Sequence, residues 1–187
     1  DAMELMRDHY EGTDFDMTKD VGAGPFALPY RWRPMGFKVD GQDYVHERAI
    51  STQQTGYSFV TQSRAWLPND IGGVLWFGVD DTYTTVYTPV YCGIKEPPKA
   101  FAEGTGNFES FSWDSAFWTF NFVTNWTYTK WNEMIVDLQK VQREFEGRYA
   151  AEQPEVERTA LELHKQDPGR ARDFLTAQVS RNSEELV

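Results

Sequence analysis

Apolar residues along this chain follow two regimes, short strand-like runs up to residue 92 and helical spacing beyond residue 112. Residues 49–66 alternate in part, with Tyr57 and Phe59 on one face and Ser58, Val60, Gln62, Arg64 and Trp66 on the other. Pro68-Asn69-Asp70 signals a turn, Val74 to Val79 a second strand, Asp80-Asp81 a second turn and Thr84 to Cys92 a third strand. The pattern therefore predicts an antiparallel meander over 48–92. The unbroken apolar run of the middle strand predicts cover on both faces, and Pro89, which donates no ladder hydrogen bond, belongs near an edge or bulge.

Ala116, Phe117, Phe120, Val123, Trp131, Met134, Ile135, Leu138, Val141 and Phe145 recur at threes and fours, with Ser112 as the expected N-cap. This predicts a long helix over 112–146, or two helices broken near Asn125 to Tyr128. Beyond Gly147 the composition turns polar, and two shorter helices are expected over 153–182, with Pro154 in a first turn and Asp167-Pro168 as an N-cap and N1 pair. At the other end, Ala2, Leu5 and Met6 fit the last turns of a helix. Gly12 to Lys38 shows no period, so residues 1–47 read as a helix end and a long loop pinned by Phe15, Phe26, Tyr30 and Trp32.

The fold class is α+β. With 187 residues, 40% of them hydrophobic and 25% charged, the chain can bury a full core, which excludes disorder and transmembrane classes. Its net charge of −11 disfavours nucleic acid and anionic lipid as partners, and no membrane insertion is expected. Aromatic residues make up 16%, and only Phe174 lies beyond residue 150, which points to a large core, a ligand surface or both.

The chemistry-bearing residues are sparse. Cys92 alone forms no internal disulfide, and a buried inert thiol at a strand end is its expected state. Asp8 and His9 with Glu11 could pair as acid and base, although a histidine held by local hydrogen bonds is the plainer reading. His46-Glu47 lacks the second ligand of a zinc helix, and His164 reads as solvated. Asp14, Asp16, Thr18 and Asp20 alternate like calcium ligands, but Lys19 and Pro25 stand where an EF-hand needs glycine and a carboxylate. Gly22-Ala23-Gly24 precedes a proline, so it is no phosphate loop. Asp80-Asp81 is accounted for as a polar hairpin turn. Gln53, Gln54, Gln62, Ser63 and Arg64 could face a cleft or form an ordinary outward strand face.

Longer strings narrow the choice. Met6-Arg-Asp-His-Tyr-Glu-Gly-Thr-Asp-Phe-Asp-Met17, Arg31-Trp-Arg-Pro34, Glu47-Arg-Ala-Ile-Ser-Thr-Gln-Gln-Thr-Gly56, Ser63-Arg-Ala-Trp-Leu-Pro68, Ile71-Gly-Gly-Val-Leu-Trp-Phe-Gly-Val-Asp-Asp81 and Ser112-Trp-Asp-Ser-Ala-Phe-Trp118 occur in order. Together they resemble the cysteine dipeptidases related to dipeptidase A and, more distantly, secernin.

That resemblance implies an N-terminal-nucleophile hydrolase with a four-layer αββα fold and no cofactor or metal. It implies a thiolate on a first-residue cysteine, with its own α-amino group as base. Asp1 departs from this pattern, and Cys92 has no α-amino group beside it. The expectation is a single C-terminal portion of a larger hydrolase domain, inactive alone. Its partners would be the missing N-terminal portion and a dipeptide. The supporting residues expected in the cleft are Arg64 and Gln62, then Arg48 and Gln54, then Asp8 and His9. A non-catalytic, aromatic-rich carbohydrate- or peptide-binding module is the alternative, and a homo-oligomer formed through the acidic C-terminal helices a third reading. The compartment stays open: secreted or periplasmic if a signal peptide precedes the chain.

Overall fold

The computed structural model describes residues 2–31, 36–45 and 48–187. Helix α1 (Ala2–Met6) leads into an irregular stretch with one 3-10 segment, Val21–Phe26. Strands β1 (Gly36–Val39) and β2 (Gln42–Val45) then pair as a hairpin around Asp40-Gly41. Both turn residues have positive φ, +50° and +79°, the conformation that Asp-Gly supplies in a two-residue hairpin loop. This hairpin corrects the reading of residues 1–47 as helix end and loop. Both strands are exposed on both faces and only four residues long, so the Phe37/Val39 alternation in β1 is too brief to stand out.

The meander forms as expected, in the order β3 (Tyr57–Ser63), β4 (Gly73–Val79) and β5 (Thr88–Tyr91), all antiparallel. Its strands are shorter than the pattern suggests: 49–56 is a loop, and Pro68-Asn69-Asp70 opens the short helix α2 (Asn69–Gly72). Pro89 lies on β5, an edge strand, where a missing N–H costs the ladder nothing. In β4, Val74 and Trp76 are buried while Leu75 and Phe77 are only half-buried, so the cover on its two faces is unequal. Gly78 is required, because a Cβ there would meet the Thr85 side chain at 2.6 Å.

The helical half divides at Lys130 (φ −147°, ψ 63°), just past the expected break, into α3 (Ala116–Thr129) and α4 (Trp131–Gln166). Ser115, not Ser112, stands at the N-cap of α3; Ser112 instead accepts a bond from the Asp114 N–H. Helix α4 is a correction of larger scale. It runs 36 residues, about 54 Å at 1.5 Å per residue, straight through Gly147 and Pro154. Pro154 deprives the helix of one backbone donor, but Tyr149, Val156 and Ala160 are buried on either side and hold the turns together. Asp167 then caps α5 (Pro168–Glu184), its side chain accepting from Gly169 N at 2.8 Å, as the Asp-Pro pair predicts.

One core joins these layers. Ile71, Val74, Trp76, Tyr87 and Tyr91 meet Phe120 of α3, Tyr149 and Val156 of α4, and Leu175 and Val179 of α5. A second cluster sets Tyr30, Trp131 and Ile135 against Tyr83 and Tyr128. The fold is thus mixed α+β. Cys92 is exposed rather than buried, just beyond β5. Among the described residues no helix is long and apolar enough to cross a membrane.

Candidate functional site

The densest buried polar chemistry lies where β4 ends. Asp80 follows Val79 with φ +66°, and its N–H donates to Gly56 O at 2.9 Å. Asp81 then closes a turn, its carbonyl accepting from the backbone N–H groups of Thr84 and Thr85 at 3.2 and 3.0 Å. The two residues are 4% and 0% exposed, so the polar hairpin turn read from the sequence is a buried acidic pair.

Asp81 is well supplied with donors. It accepts from Ser51 Oγ at 3.0 Å, Tyr83 N at 3.1 Å and Tyr128 Oη at 2.7 Å. Ser51 continues the network, receiving Thr82 Oγ1 at 2.7 Å and lying 3.3 Å from Tyr30 Oη, which in turn meets His9 Nε2 at 2.9 Å. The imidazole is fully buried, stacked on Tyr83 with ring centroids 4.4 Å apart and edge-on to Tyr30 and Trp131. Its Nδ1 lies 3.3 Å from Glu11 Oε1 without the angular geometry of a hydrogen bond. Burial and the nearby charge of Asp81 push the Tyr30 and Tyr128 phenols far up, so both serve as neutral hydrogen-bonding groups.

Asp80 is poorly supplied. Its carboxyl collects one hydrogen bond of ordinary geometry, a long 3.4 Å contact from Asn121 Nδ2 to Oδ2, with weaker support from Thr124 and the Asp81 backbone. Burial, and secondarily the charge of Asp81, raise it to about 7 against that support. Asp80 forms one wall of a cleft of about 330 Å³ whose other walls include Gln53, Asn121, Thr124, Asn125 and Tyr128. The four α3 residues stand at i, i+3, i+4 and i+7, a polar stripe on one helix face. That spacing is readable in the sequence but masked by the aromatic positions around it. A carboxyl near neutrality in such a cleft can exchange a proton or hold a cation at ordinary pH.

The residues singled out from the sequence separate into two places. His9 belongs to the Asp81 network, and Asp8 adjoins it through its carbonyl, which accepts from Ser51 N at 3.2 Å; its carboxylate accepts from Tyr10 N at 2.8 Å. Gln54 is exposed, with Thr52 as partner, while its neighbour Gln53 reaches the cleft. Arg48 carries a carbonyl that accepts from Tyr10 Oη, and its place is the loop before β3 rather than a strand. Gln62 on β3 and Arg64 just past its end lie elsewhere, against α4. Arg64 pairs with Glu157 and donates to Gly72 O and Ile71 O, and Gln62 accepts from Trp76 Nε1 and Gln153 Nε2.

Arg64 therefore clamps α4 to the β3–β4 connection. Arg64→Ala is expected to lower the unfolding free energy by about 3 kcal/mol, since Glu157 loses its charged partner in a site only 15% exposed. Urea denaturation measures it; stability equal to wild type would refute the clamp.

Asp16 commits its carboxylate locally, to Gly12 N, Thr18 N, Thr18 Oγ1 and Lys19 Nζ, and those bonds, led by Lys19, hold it well below the usual carboxylate range. Among the described residues no three His, Cys, Asp or Glu side chains gather as a metal site. His46 and Glu47, like Trp32, lie outside the described residues.

The model for peptidase family C69 matches residues 1–144. The chain belongs to peptidase family C69. The match takes in α1, both sheets, α3, the Asp80 cleft and the first turns of α4. A probable dipeptidase B of Streptococcus pyogenes serotype M1 is 23% identical over 174 residues, covering 92% of this chain and 32% of that protein. This member of family C69 thus spans about a third of the length of the curated relative it matches. No solved structure matches.

Proposed function

We propose that this chain forms the substrate-holding portion of a dipeptidase and does not hydrolyse peptides by itself. The observation that carries the reading is the Asp80 cleft, which lies inside the stretch matched by the peptidase family and has the volume of a small-molecule site. A dipeptidase-named relative supports the substrate class.

The nucleophile is assigned to a cysteine outside these residues. Cys92 is badly placed for that role, since its N–H pairs with Gly73 at the start of β4, whereas Asp80 follows the end of that strand. Seven residues of strand separate them by roughly 20 Å. In the reaction the resemblance implies, a terminal thiolate attacks the peptide carbonyl and the α-ammonium returns a proton to the leaving amine. Water then hydrolyses the thioester.

The test compares this chain with a longer protein in which it follows a segment opening on cysteine, using alanyl-alanine and chromatographic detection of alanine. The longer protein is expected to hydrolyse the dipeptide and to lose that activity on thiol alkylation, while this chain gives the buffer rate. Hydrolysis by the 187-residue chain, or activity that survives alkylation, would overturn the reading.

A binding module remains a second reading because of one surface feature. Phe111, Trp113, Trp118, Phe122 and Trp126 form a continuous ring cluster with centroid separations of 4.6 to 6.2 Å, and Trp113 and Trp126 are more than half exposed. A ligand on that cluster would quench tryptophan fluorescence in an Asp80→Asn variant as strongly as in wild type.

A further inference from the structure

The side chains around the Asp80 cleft already spend donors on the protein itself. Each side-chain amide in the wall commits an N–H to the protein itself. Gln53 Nε2 donates to Arg31 O at 2.9 Å, Asn121 Nδ2 to Asp80 Oδ2 at 3.4 Å, and Asn125 Nδ2 to Asn121 O at 2.8 Å. The Tyr128 hydroxyl, which could have donated, is turned onto Asp81 at 2.7 Å. Asp80, with one long hydrogen bond, keeps spare acceptor capacity in a wall it shares with these amide side chains.

A buried carboxylate with one long hydrogen bond is energetically unfavourable to leave unpaired, and the charge of Asp81 adds to the deficit. The ligand that repairs it must bring positive charge and several N–H donors together. A primary ammonium does both: it is compact, carries three donors, and can pair with a carboxylate while its other N–H groups meet polar side chains nearby. In a site of about 330 Å³, an ammonium attached directly to the first residue of a short peptide places the adjoining peptide unit against the Asn121, Asn125 and Tyr128 stripe of α3.

We infer that Asp80 receives the free α-ammonium group of the substrate, with the Gln53, Asn121 and Asn125 side chains around it, and so selects peptides with an unblocked amino end. This rests on the dipeptidase reading above and deepens it, naming a specificity-determining residue. Asp81 acts as a positioning residue: tied down by Ser51, Tyr128 and the Tyr83 N–H, it fixes the turn that presents Asp80 and adds negative potential behind it. An ammonium could also come from a lysine side chain, and the probes below separate the two sources.

The experiment is a calorimetric titration of the 187-residue chain at pH 8 with alanyl-alanine, N-acetyl-alanyl-alanine, alanyl-alanine amide and Nα-acetyl-lysine. The free dipeptide is expected to bind at least about tenfold more tightly than its N-acetyl form and than Nα-acetyl-lysine, whereas amidation of the carboxyl end costs less than about threefold. In Asp80→Asn the advantage of the free dipeptide is expected to vanish. Asparagine suits the substitution because it is among the few residues that accept the positive φ held there. Equal affinity for free and acetylated dipeptide, affinity for Nα-acetyl-lysine matching that for the free dipeptide, an advantage that persists in Asp80→Asn, or no binding of any probe would overturn the assignment. Should Asp80→Asn fail to fold, the wild-type series decides alone. Binding without hydrolysis by the longer protein would sink the catalytic reading and leave this one standing, so the two failures are distinguishable.

Discussion

Arg7→Met is expected to cost about 3–5 kcal/mol of unfolding free energy, since it breaks a buried ion pair that three elements share. The guanidinium is 5% exposed and engages Glu146 through both terminal nitrogens, at 3.1 and 2.5 Å. Its Nε donates to Thr82 O and its Nη2 to Thr85 O, each at 3.2 Å, and its centre sits 5.1 Å from the Tyr87 ring centroid. Glu146 also accepts from Tyr87 N at 2.8 Å, and Gln142 donates to Tyr83 O and Thr85 O from one turn earlier on α4. One cation thus joins the end of α1, the loop after Asp81 and the middle of α4.

Removing Arg7 alone strands the Glu146 carboxylate, 16% exposed, and leaves two loop carbonyls without that donor. The double variant Arg7→Met with Glu146→Leu removes both charges and is expected to recover about half the loss or more, because desolvation no longer opposes packing. Chemical denaturation of the wild type and the three variants measures the cycle. Additive single losses would show that the two side chains act independently and would refute the clamp.

How much of this is legible in the sequence depends on whether the deciding information is local. The Asp167-Pro168 cap and the turn-bounded meander declare themselves in a few adjacent residues, and both form. The Asp40-Gly41 turn is equally local, but the strands beside it are only four residues long and exposed on both faces, so the brief Phe37/Val39 alternation draws little attention to it. Gly147 and Pro154 read as breaks because propensity acts on single residues, whereas the burial that carries α4 through them comes from the sheet and α5. Asp80 and Asp81 are least legible. Two acids after a strand usually mean a solvated turn, and only the return of Ser51, Tyr128 and α3 from distant parts of the chain makes them a buried site. The strings that resemble the dipeptidases run through Ser51 and reach Asp81, so the resemblance locates the region without stating what it does.

Asp80→Asn is expected to change how stability depends on pH. In the fold the Asp80 carboxyl titrates at about 7, against an ordinary value of 3.8 when unfolded, so between those values the native state holds a proton that the unfolded chain releases. Its stabilising contribution is therefore complete below the unfolded value and is lost as pH rises toward 7; a shift of this size corresponds to about 4 kcal/mol. Asparagine resembles the protonated acid in shape, keeps an acceptor for Asn121 and does not titrate. The variant should then match the wild type to within about 1 kcal/mol near pH 4 and exceed it by roughly 3–4 kcal/mol near pH 8. Both proteins retain Asp81 with its Ser51, Tyr83 and Tyr128 donors, and both retain Asp16, whose depressed titration acts in the opposite sense at low pH, so the difference between the curves isolates Asp80. Urea midpoints measured at half-unit steps from pH 4 to 8 decide the matter. Parallel curves would mean that Asp80 ionises freely in the fold, and a cleft that tolerates its charge unpaired has no deficit for an ammonium ligand to repair. A widening gap would instead mean that the unliganded fold resists the ionised form of Asp80, which is the deficit an ammonium ligand would repair.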